Sequence, residues 1–73
     1  MSSITPDEMI KVQDYLRRTF GNPGIGVKPR AQASDSIEIL LNGEFIGICY
    51  KNEEDGETSY DFNMSILDID LEG

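Results

Sequence analysis

The chain has 73 residues, of which fourteen are acidic, six are basic and none is histidine, giving a formal net charge of −8 at neutral pH. A chain this short makes one small domain, residues 1–73, which excludes two-domain enzymes and folds needing roughly 200 residues. Without histidine, Ser-His-Asp and Cys-His catalysis and the usual zinc sites are excluded as well.

The first predicted element is a helix over residues 6–20. Thr5 suits its N-cap, Pro6 its first position, and Glu8 completes a capping box with Thr5. Asp7 and Glu8 sit where the helix dipole favours anions, and Arg17 and Arg18 sit where it favours cations. Gly21 supplies a left-handed cap, and Pro23 prevents continuation. Met9, Val12, Leu16 and Phe20 recur at spacings of three and four, which makes one apolar stripe.

Strands are predicted over 25–29, 36–41, 44–51 and 58–67, with a polar loop over 31–35 and an acidic tail over 68–73. Pro29 cannot donate to a ladder, so the first strand belongs at a sheet edge. Asn42-Gly43 signals a two-residue type I′ turn, and Glu54-Asp55-Gly56 reads as a three-residue loop with Gly56 left-handed. The first turn sets Ile39 opposite Ile46 and Ile37 opposite Ile48. The second sets Tyr50 opposite Tyr60, Ile48 opposite Phe62 and Ile46 opposite Met64. Opposed residues share a face, so these eight side chains form an apolar surface for the helix stripe to cover. The expected fold is α+β: one N-terminal helix packed on one face of a four-stranded antiparallel meander, αββββ.

The opposite face is expected to be mostly polar, with one exception. Leu40 and Phe45 oppose each other there, and extension of the fourth strand brings Leu67 beside them. An apolar cluster on a face that should be wet marks a contact site, so Leu40, Phe45 and Leu67 form a candidate interaction patch. The alternation changes parity near Leu67, Ile69 and Leu71, so either a bulge corrects the register or the tail leaves the sheet.

Few motifs carry chemistry. Cys49 is mid-strand with no base beside it and reads as a small core residue; being single, it allows no internal disulfide. The glycine-rich run 21–26 follows a helix C-terminus, whereas phosphate loops precede a helix N-terminus. Aligned on an EF-hand loop through Gly56, the acidic segment puts Lys51 and Phe62 at ligand positions, so calcium is not expected. Asn63-Met64-Ser65 matches a glycosylation acceptor, but the N-terminus has neither a basic region nor an apolar run of a secretory signal. No metal, cofactor or enzymatic activity is expected, and no apolar stretch is long enough to span a membrane.

Charge divides unevenly. Lys11, Arg17, Arg18, Lys28 and Arg30 all precede Asp35, and from Asp35 onward Lys51 is the only cation among eleven carboxylates. Those five cations are a candidate anion-binding site, while the overall negative field disfavours nucleic acid. The leading expectation is a non-enzymatic interaction or regulatory module, acting as a homodimer or with another protein. A small-ligand or anion-binding regulator is the alternative.

Tyr15-Leu16-Arg17-Arg18-Thr19-Phe20-Gly21-Asn22-Pro23-Gly24-Ile25 resembles a stretch from a family of small bacterial proteins. So do Glu44-Phe45-Ile46-Gly47, the acidic loop with Asp55-Gly56, and Ile66-Leu67-Asp68-Ile69-Asp70-Leu71. The family is domain of unknown function 3126, seen in alpha-class proteobacteria. The resemblance implies a soluble, stand-alone cytoplasmic protein. It implies no activity, since none is assigned to the family, and no catalytic residues carry over.

Overall fold

The computed structural model describes residues 3–64 and 66–72, with Asp70 described by its backbone alone. Ser65, which falls in the predicted fourth strand and the glycosylation match, lies outside the described residues, as do Gly73 and the Asp70 side chain of the acidic tail. Helix α1 spans Pro6–Phe20, and its capping box is complete. The Glu8 amide donates to Thr5 Oγ1 at 3.2 Å, the Thr5 amide donates to Glu8 Oε1 at 3.0 Å, and Gly21 closes the helix at φ 61°. Four strands follow: β1 (Ile25–Arg30), β2 (Ala33–Leu41), β3 (Glu44–Glu54) and β4 (Glu57–Asn63). They form one antiparallel sheet in the order β1-β2-β3-β4, which is the αββββ arrangement, and a short 3-10 turn occupies Asp68–Leu71.

Three boundaries differ from expectation by three residues or more, and one of them is the end of β3, which runs on to Glu54 rather than stopping at residue 51. β2 starts at Ala33, so the predicted polar loop over 31–35 shrinks to a turn at Ala31-Gln32. Arg30 pairs with Ala33 while Pro29 pairs with Ile37, so the intervening residues of β2 bulge. The bulge finds its partners elsewhere: the Ile4 amide donates to the Ser34 carbonyl at 2.8 Å, and Arg30 donates to the buried Ser36 hydroxyl at 2.9 Å. At the other end, β4 stops at Asn63 rather than at residue 67, and Leu67, Ile69 and Leu71 leave the sheet as exposed side chains.

The register of β3 is the main correction. Asn42 and Gly43, at φ 53° and 84°, make the type I′ turn, with Leu41 opposite Glu44 and Leu40 opposite Phe45. A bulge at Ile46 then puts Gly47, not Ile46, opposite Ile39, and Cys49, not Ile48, opposite Ile37. The second turn has two central residues, Asp55 and Gly56, at φ 52° and 81°, so Glu54 faces Glu57, Lys51 faces Tyr60 and Cys49 faces Phe62. Beyond the bulge the core side of β3 therefore carries Gly47, Cys49 and Lys51. Ile48 and Tyr50, expected in the core, lie on the opposite face beside Glu38 and Ser36.

Gly47 explains why this register is stable. A Cβ there would lie 2.6 Å from Phe62 Cε1 and closer still to the Asn63 carbonyl oxygen, so the aromatic ring occupies the space a side chain would need. Leu16, Ile25, Ile37, Ile39 and Cys49 form the buried core, ringed by Ile4, Met9, Val12, Val27, Leu41, Ile46 and Phe62. Helix α1 packs chiefly on β1. It covers one half of the sheet and leaves the β3–β4 half partly open, so Phe20, Tyr60 and Met64 keep substantial exposure. Among the described residues no helix is long and apolar enough to cross a membrane.

Candidate functional site

The off-centre seat of the helix creates a groove of about 470 Å³ between α1 and β3–β4. The nearly buried Leu16 and Cys49 form its floor with Val12 and Phe62, the exposed Tyr15 and Tyr60 flank it, and Glu8 and Lys11 supply its polar lining. A second hollow of about 260 Å³ shares Leu16 and Phe62 with it and continues past Phe20, Ile46 and Met64. Together they form an apolar channel on the helix side of the sheet.

One end of the groove is closed by an ion-paired clamp. Lys51 Nζ lies 2.9 Å from Glu8 Oε1 and 2.8 Å from Oε2, and it also donates to the Ser3 carbonyl at 3.2 Å. The Tyr60 hydroxyl donates to Glu8 Oε2. Glu8 therefore completes the helix cap and joins α1 to both β3 and β4. The Lys51 ammonium, assisted by the Tyr60 hydroxyl and the Thr5 amide, holds the Glu8 carboxyl at about 2. The same carboxylate, with some desolvation, pushes Tyr60 up to about 12.

These shifts set a pH window. Glu8 is depressed, so its contribution to stability is present above about 4.5 and lost as pH falls towards 2. Tyr60 is raised, so its contribution is present below about 10 and lost as pH rises towards 12. Melting temperature against pH is expected to fall on both sides of that window. Glu8→Gln should flatten the acid limb and Tyr60→Phe the alkaline one; limbs unchanged by both substitutions would count against the clamp.

Cys49 sits at the bottom of the groove, 2% exposed. Burial pushes its thiol above the usual range and the negative charge of Asp61 adds to this, so the group is held as the thiol. Its core role agrees with its reading as a small apolar residue. Among the described residues no cluster of three or more His, Cys, Asp or Glu is placed to hold a metal ion.

Leu40 and Phe45 pair on the face away from the helix, Leu40 half-buried and Phe45 exposed. Leu67 is exposed too, but no extension of β4 carries it to them. Arg17 Nε donates to the Ile25 carbonyl at 2.7 Å, at the start of β1, whereas Arg30 reaches Ser36 from its far end. Arg18 donates back to the Asp14 carbonyl at 3.4 Å, Lys28 faces Glu38 across the ladder, and Lys11 stands exposed at the groove. The basic residues are thus spread along a helix and a strand. The clamp residues Lys51 and Tyr60 lie outside the candidate sites that the sequence suggests, and their one signal there is a lone lysine in a strand amid carboxylates.

No curated protein and no solved structure matches the chain. The model of the family described as protein of unknown function, DUF3126, matches residues 8–70, which takes in α1 from Glu8 onward, all four strands and most of the 3-10 turn. The chain belongs to the DUF3126 family.

Proposed function

We propose that the protein is a non-enzymatic interaction module that presents the helix-side groove as its contact surface. The observation that carries this reading is the chemistry of the groove lining. Its exposed side chains are mostly aromatic and aliphatic, Glu8 is consumed by the clamp, and Cys49 is buried as a thiol. Such a surface suits burial against an apolar partner and offers no poised acid, base or nucleophile.

Phe45 supports a second reading, in which the contact lies on the other face at Leu40 and Phe45, since Phe45 is 55% exposed. Anion binding has less support, because Arg17 and Arg30 already donate to Ile25 and Ser36. Capture experiments with three tagged forms separate the two faces. Tyr15→Asp is expected to keep the melting temperature and lose partners retained by the parent protein, while Phe45→Ser keeps both. The reverse pattern would overturn the groove reading in favour of the far face.

A further inference from the structure

The sheet has two outer strands, and only one of them is guarded against a further strand. β1 carries Pro29, which has no N–H to donate, and Arg17 already occupies the Ile25 carbonyl. β4 reads Glu-Thr-Ser-Tyr-Asp-Phe-Asn, with neither proline nor lysine, and among the described residues it pairs only with β3. The two-residue turn at Asp55-Gly56 bonds Glu57 back to Glu54, so the backbone groups of Glu57, Ser59, Asp61 and Asn63 face β3. Those of Thr58, Tyr60 and Phe62 face outward.

We infer that β4 pairs antiparallel with β4 of a second copy about a two-fold axis at Tyr60, joining the two sheets into one. This rests on the interaction-module reading and deepens it, since a second copy at the sheet edge brings two of the contact grooves together. Charge selects the register. An axis at Ser59 would set Glu57 opposite the partner's Asp61, and an axis at Asp61 would set the two Asp61 carboxylates opposite each other; like charges so placed are destabilising. An axis at Tyr60 sets Ser59 opposite the partner's Asp61 and Glu57 opposite the partner's Asn63, so each carboxylate meets a donor. It also matches the outward backbone groups, which then form about six ladder hydrogen bonds. The two-fold axis keeps both helices on one face, so the grooves beside Tyr60 and Phe62 adjoin across the new seam. Each copy carries a net charge of −8, so screening by salt strengthens the pairing.

Sedimentation of the whole chain across concentration, at low and high salt, tests the inference together with two substitutions. Thr58→Pro removes an outward N–H and leaves the β3 ladder intact, so it should abolish a dimer that salt favours while the protein stays folded. Spin labels on Ser59→Cys and Glu57→Cys report the register: the Cα atoms should lie about 8 Å apart in the first and about 21 Å in the second. If Thr58→Pro does not fold, the label distances decide alone. A chain monomeric at every concentration overturns the self-pairing and leaves the interaction module standing. A dimer that survives Thr58→Pro but is lost with Phe45→Ser overturns both, placing the contact on the far face.

Discussion

Ile39→Ala is expected to leave the domain largely unfolded at room temperature. Ile39 has no exposed surface at the centre of the core, and truncating such a residue costs roughly 2–5 kcal/mol. A domain of this size rarely has more than about 3–5 kcal/mol in total. Ile48 provides the contrast, because it is half-buried on the other face, and Ile48→Ala should cost about 1 kcal/mol. Urea unfolding followed by circular dichroism measures both. Equal losses at the two positions would mean that Ile48 shares the core and that β3 has the other register.

Gly47→Ala is the second large effect, and it reports on the same strand from the opposite direction. The added methyl group would meet Phe62 and the Asn63 carbonyl. The ring can turn aside, but the carbonyl belongs to the β3–β4 ladder and cannot move without opening it. A loss of about 3 kcal/mol is expected, at the upper end for overpacking. Combining it with Phe62→Leu should recover only the part due to the ring. If Gly47→Ala melts like the parent protein, Gly47 does not face the core.

Local signals were legible in the sequence, and signals between strands were not. The cap, the boundaries of α1 and the Asn42-Gly43 turn depend on neighbouring residues and could be read directly. The register of β3 depends on a single extra residue at Ile46 and on whether the next loop holds two residues or three. Each error of one residue inverts a strand, and the two act in opposite senses. The faces of β2 and β4 were therefore correct, with Ile37, Ile39, Tyr60 and Phe62 on the helix side, as was that of Ile46, and only the part of β3 beyond the bulge was turned over. Apolar alternation favoured Ile48 and Tyr50 inside. The space above Gly47, filled by Phe62, decided otherwise. The groove escaped notice because it arises from where the helix rests on the sheet, and its clamp joins residues 43 and 52 positions apart.

That clamp bears on how the molecule comes apart. Helix capping is ordinarily a local matter, settled within one turn and indifferent to the rest of the chain. Here the carboxylate that finishes the cap is also held by the last hairpin, 43 and 52 residues away. The first turn of the helix therefore cannot fray without releasing Lys51 and Tyr60, nor can the hairpin peel back without weakening the helix start. The first turn of the helix and the last hairpin are therefore expected to open together, so that the small domain melts as a single cooperative unit rather than as a helix and a sheet that come apart in turn.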